Sequence, residues 1–417
     1  MTRRSGYADL PLHGGHVPAW LSARMAALGR VIGEAIVYHY GRDELLRRLA
    51  QPFWFQSFGA VMGMDWHSSG ITTSVLAALK RGLAPVQSEL GIFVCGGRGA
   101  ASRRTPAELM AVGERTGLDA ERLATTSRLV AKIDSAAVQD GYDLYLHGFI
   151  VSAEGTWCVV QQGMNPTRRQ ARRYHWLSQG LASFLDSPHA AIEGVNQGQI
   201  LNLADARAQA ARTAGLQLVH AGPQRTVSIL RRLRPAAGRS LSLFAEPEPA
   251  VPDRVHELVP HLCMPSRHEV IGSDVVLRRL HGTLAAAAER GPQDFSELLL
   301  TPGVGARTVA ALAWVAEIVH GTAARFTDPA RFSLAHGGKD GHPFPVPLRV
   351  YDETLRVLKR AVSQAHLGRT DKLDALRRLD AQARSMERHA SGPSVETFIA
   401  AECTAAAGLG GRTVFDR

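Results

Sequence analysis

The sequence predicts an α+β protein, with a small mixed N-terminal α+β domain followed by a predominantly α-helical C-terminal domain. Apolar residues recur at helical spacing over 20–49 and 71–80, strand-like runs occupy 90–95, 142–151 and 157–161, and helical patterning dominates beyond a Pro/Gly/Ala/Ser-rich stretch at 235–252. With 417 residues, 45% hydrophobic and 21% charged, the chain can bury a core across two or three domains. The expected division is an α+β domain over 1–180, a helical connector over 181–234, a linker over 235–252 and a helical domain over 253–417.

Within the first domain, Leu21, Met25, Leu28, Ile32, Ile36, Leu45, Leu46 and Leu49 outline two amphipathic helices interrupted at Gly41. The aromatic run Phe53, Trp54, Phe55 and Phe58 precedes Asp65-Trp66-His67-Ser68-Ser69-Gly70, which is expected as a loop opening the next helix, with Ser68 or Ser69 as cap. The strand at 90–95 is expected to end in a flexible loop, Gly96-Gly97-Arg98-Gly99. A hairpin follows, turning at Ser152-Ala153-Glu154-Gly155.

Formal charge is +10, from 48 Lys and Arg against 38 Asp and Glu, and arginine supplies most of the positive side. That balance suits a polyanionic partner, because guanidinium groups contact phosphate in a planar, bidentate way. Cys95, Cys158, Cys263 and Cys403 stand too far apart for a disulfide framework or a metal knuckle, and no stretch approaches the length of a membrane span. A cytoplasmic, nucleoid-associated protein without a membrane partner is expected.

The most specific motif is a helix-hairpin-helix over 294–320. A short helix is expected over 294–300, a tight turn at Thr301-Pro302-Gly303-Val304-Gly305, and a second helix from Ala306 to His320. Gly303 and Gly305 permit positive φ and close backbone approach, so amides at the second helix's N-terminus can bind a phosphate with help from the helix dipole. Arg307 and Thr308 stand where side chains add to the grip. An ordinary αα-hairpin with the same glycines remains the alternative. DNA is thus the expected partner, with other DNA-repair proteins beside it, and affinity should depend on salt more than on sequence. Arg168, Arg169, Arg172 and Arg173 are expected to form an electrostatic track, and Lys339 to add a further contact.

Chemistry is expected around Asp65 and His67, an acid/base or metal-ligating pair, and around Lys132, Asp134, His147 and Gln161 at one end of the sheet. If these meet, phosphodiester hydrolysis follows, with or without a divalent metal such as Mg²⁺ or Mn²⁺. Two other DNA readings stay open: a glycosylase using Asp328 or Asp340, and a non-catalytic adaptor. Without DNA, the 96–99 loop would cradle a nucleotide, although it lacks a Walker ending. The donors Asp253, His256, His261, Cys263 and His268 match no common zinc spacing and read as coincidental.

Segments at 5–15, 65–73, 159–165, 171–176 and 336–341 resemble the bacterial and archaeal family catalogued as domain of unknown function 763. The resemblance spans most of the chain. It implies an intracellular protein and assigns no reaction.

Overall fold

The computed structural model describes residues 10–11, 19–62, 64, 70–168, 170–232, 274–330, 356–358, 360 and 363. Four helices fill most of the stretch from 19 to 83: α1 (Ala19–Tyr40), α2 (Arg42–Leu49), α3 (Pro52–Val61) and α4 (Gly70–Leu83). Gly41, at φ 88, breaks α1 from α2, and Pro52 starts α3 at a position where its missing N–H costs nothing. The aromatic run becomes the buried side of α3, where Trp54, Phe55 and Phe58 are fully enclosed, each burial stabilising by about 1.5–3 kcal/mol. Helices α1 and α4 cross closely because residue 82 is Gly; a Cβ there would lie 2.2 Å from the Ala26 carbonyl oxygen.

A short α5 (Gln87–Leu90) leads into β2 (Ile92–Arg98), after β1 (Leu10–Pro11) at the start of the chain. The remaining elements of the first half are α6 (Ala100–Thr116), α7 (Ala120–Lys132), β3 (Val138–Gln139), β4 (Asp143–Ser152), β5 (Trp157–Asn165) and β6 (Gln170–Leu177). Strands β7 (Ala191–Glu193) and β8 (Gln199–Asn202) follow, then α8 (Gln209–His220) and α9 (Pro223–Arg232). The stretch expected as a helical connector therefore also supplies two strands.

The main sheet is antiparallel, in the order β1-β6-β5-β4-β2, with β7 also beside β6. Both faces are covered, which is why β4, β5 and β6 read as almost continuously buried. Ile92, Leu146, Ile150, Cys158 and Val160 pack with α1–α4, while Phe93, Phe149, Val151, Trp157, Val159, Tyr174 and Trp176 join the opposite core. The expected loop at 96–99 is instead mostly strand, since β2 pairs with β4 through Arg98 and Leu146. Gly96 is required there: φ is 89, and a Cβ would sit 2.2 Å from the His147 carbonyl oxygen.

Beyond residue 273 the described helices are α10 (Asp274–Arg290), α11 (Phe295–Leu300) and α12 (Ala306–His320), followed by β9 (Arg325–Thr327). A second sheet, β3-β8-β9, joins three distant parts of the chain. One contiguous core runs from Phe93 through Trp314 to Ala330, so residues on both sides of the expected boundary at 180 pack together. The fold is mixed α+β. The expected linker at 235–252 lies outside the described residues.

Candidate functional site

Helix α11 is capped by Asp294, whose carboxylate accepts from the Glu297 amide at 2.8 Å, while Glu297 accepts from the Gln293 amide at 2.8 Å. The chain leaves α11 at Thr301 and turns through Gly303, at φ 86, where L side chains are strained. Val304 is buried and its amide donates to the Thr301 carbonyl, whereas Pro302 and Gly303 are exposed. Gly305 precedes α12 and supplies no side-chain cap, and the first amides of a helix have no acceptor within the helix. Arg307 is exposed and Thr308 buried.

Two side chains from the first half pin this turn. Lys132, at the end of α7, donates to the Val304 carbonyl, and Gln139 Nε2 donates to the Ala306 carbonyl at 2.7 Å. Burial holds the Lys132 ammonium below its ordinary pKa. On the other flank, the Thr283 side chain of α10 lies 3.5 Å from where a Cβ on Gly303 would stand.

Asp134, His147 and Gln161 do meet. After α7 the helix widens into a π-turn over Ile133–Ala137, which turns the fully buried Asp134 toward β5 and β6. Its Oδ2 accepts from Gln161 Nε2 at 2.5 Å and Trp176 Nε1 at 2.9 Å, and its Oδ1 from His189 Nε2 at 2.5 Å. Because the Gln161 amide nitrogen faces that carboxylate, Gln161 Oε1 accepts from His147 Nδ1 at 2.7 Å. His147 Nε2 is then the lone-pair nitrogen, and the Ser127 hydroxyl donates to it at 2.8 Å. A hydroxyl hydrogen-bonded to an imidazole resembles an activated nucleophile. Ser127 and His147 are nevertheless only 2% and 6% exposed, so this row of hydrogen bonds joins α7, β4, β5, β6 and His189 internally and offers no substrate access.

Burial also keeps His147 and His175 below the ordinary imidazole range, so both are neutral at pH 7. Unfolding in mild acid lets each take up a proton, and the unfolded state then binds more protons than the native one. Stability from these two groups is therefore full above about pH 6.5 and falls as pH drops below it, by up to about 1.4 kcal/mol per pH unit for each. Urea midpoints measured between neutral pH and pH 5 should show this slope, and His147→Gln should reduce it. An unchanged slope in the variant would contradict the buried neutral state.

The arginine track is corrected. Arg172 and Arg173 are both 0% exposed, on opposite faces of β6, and neither can line a surface. Arg172 pairs with Asp140 at 2.7 Å and Asp328 at 2.6 Å, lies over the Tyr142 ring and donates to the Val195 carbonyl. Burial opposes its charge, but the two carboxylates outweigh that and raise its pKa. Arg173 pairs with Glu193, donates to Gln56 Oε1 at 2.9 Å and lies over the Phe55 ring. Arg168 is exposed, and its guanidinium reaches Gln197. Asp328, the glycosylase candidate, is enclosed and committed to Arg172 and to the amides of Gln197 and Ala330.

Asp65, His67, Arg169, Lys339, Asp340 and the zinc-like segment at 253–268 lie outside the described residues. Among the described residues no group of three or more His, Cys, Asp or Glu could hold a metal, and no helix is long and apolar enough to cross a membrane. Cys95 and Cys158 are buried, the former pushed up to about 12 by burial, so neither is poised as a thiolate. Sequence reading missed Ser127 and His189, which had no motif around them. It also missed a cleft of about 400 Å³ lined by Gln209, Thr213, Gln217, His320 and Thr322, at the other end of α12 from the turn.

A family model described as "Protein of unknown function (DUF763)" matches residues 6–346, which includes the buried arginines, the Asp134 network and the glycine turn. The chain belongs to the DUF763 family. No curated protein and no solved structure matches this DUF763 chain. Its function must therefore be argued from the site.

Proposed function

We propose that this DUF763 protein binds the sugar–phosphate backbone of DNA through the turn at 301–305 and the N-terminus of α12. The observation that carries the reading is the uncapped start of α12 behind an exposed Pro302-Gly303 turn, with Arg307 exposed at its mouth. First-turn amides, the positive end of a helix dipole and a guanidinium together form a phosphate-binding arrangement. Lys132 and Gln139 support it by fixing the turn's carbonyls, which hold the amides in place. Among the described residues, the geometry favours holding over cutting. Asp134, His147 and Gln161 satisfy one another in the interior, and Asp328 is engaged by Arg172, so neither phosphodiester hydrolysis nor base excision is supported by these groups.

A labelled duplex titrated with the protein at several salt concentrations tests the proposal by fluorescence anisotropy. Affinity is expected to fall steeply with salt, and Arg307→Glu to weaken it by about tenfold or more. Wild-type protein that fails to bind at low salt, or a variant that binds equally well, would refute it.

A further inference from the structure

The turn does not stand alone on the surface. Helix α7 reaches it through Lys132, and Arg128, one turn earlier on the same face of α7, is exposed. Helix α10 reaches its other flank through Thr283, and Arg279, again one turn earlier, is exposed as well. Arg128, Arg279 and Arg307 have no ion-pair partner among the described residues. Three exposed guanidinium groups thus stand on the three helices that meet at this turn, two of them one helical turn from the residues that touch it, Lys132 and Thr283.

Among the described residues, the same region offers no exposed aromatic ring on which unstacked bases would sit. Phe295 of α11 and Trp314 of α12 are buried, and the large hydrophobic residues that stand exposed among the described residues are Tyr38, on α1, and Ile318, near the far end of α12. Proteins that hold single strands use aromatic platforms for the bases. A surface of cations and amides without such platforms contacts phosphates only.

We propose that Arg128 of α7 and Arg279 of α10 complete a composite face around the turn that takes duplex DNA in preference to single strands. This rests on the phosphate-binding reading of the turn. It adds that the face is built from both halves of the chain, so that the hairpin is not a self-contained module.

The full-length protein is titrated with a labelled duplex and with one of its separated strands, over a salt series. Wild type is compared with Arg128→Ala, Arg279→Ala and the double variant, all checked for unchanged circular dichroism. The duplex is expected to bind more tightly than the strand. Each substitution should reduce the magnitude of the slope of log K against log salt by about 0.9, and the pair by about twice that. Equal or tighter binding of the single strand, or an unchanged slope in the double variant, overturns the composite face; if Arg307→Glu still weakens binding, the turn itself stands. Failure of the wild type to bind either nucleic acid overturns both.

Discussion

Replacing Arg172 by Met is expected to destabilise the protein by about 3–5 kcal/mol, the range for removing one partner from a buried ion pair. Two carboxylates depend on this guanidinium. Asp140 and Asp328 are 1% and 0% exposed at the side chain, and Met would leave both charges enclosed with no cation between them. Arg172→Lys should recover little, because one ammonium cannot span both carboxylates and the Val195 carbonyl as the planar fork does. Adding Asp328→Asn to Arg172→Met should regain part of the loss by removing one uncompensated charge. Urea denaturation of the four proteins measures this, and a loss below about 1 kcal/mol for Arg172→Met would contradict the ion-pair account.

The same arginines show where sequence reading reached its limit. Arg172, Arg173, Tyr174, His175 and Trp176 looked like a basic, aromatic surface run because charge normally means exposure. In the fold they form β6, a strand covered on both faces, where each arginine meets carboxylates supplied from elsewhere in the chain. Those partners, Asp140, Asp328 and Glu193, lie 20 to 156 residues away, so no local pattern announces them. Local signals fared better where the physics is local. Helix α12 has the expected bounds because Gly305 and Gly321 punctuate it, and α2 stops short of α1 because Gly41 takes a positive φ. The loop expected at 96–99 became strand because Gly96 packs against the His147 carbonyl, a tertiary contact that composition cannot reveal. The π-turn that presents Asp134 and the second sheet were illegible for the same reason: both depend on segments far apart in the chain.

The Asp134 network separates hydrogen-bond inventory from charge, and two substitutions at one residue resolve them. Asp134→Ala should cost at least about 3 kcal/mol, since it strands the donors of Gln161, Trp176 and His189 in the interior. Asp134→Asn should cost far less. The asparagine oxygen can accept from Gln161 and Trp176 as Oδ2 does now, and its NH₂ would then face His189 Nε2. His189 meets that donor in the tautomer that carries its proton on Nδ1, which leaves Nε2 as the acceptor. The loss for Asp134→Asn should therefore stay well below that for Asp134→Ala. Urea titrations of the wild type and the two variants at neutral pH read both losses. Equal losses for Ala and Asn would mean that the negative charge itself, and not the pattern of acceptors, is what this part of the core requires.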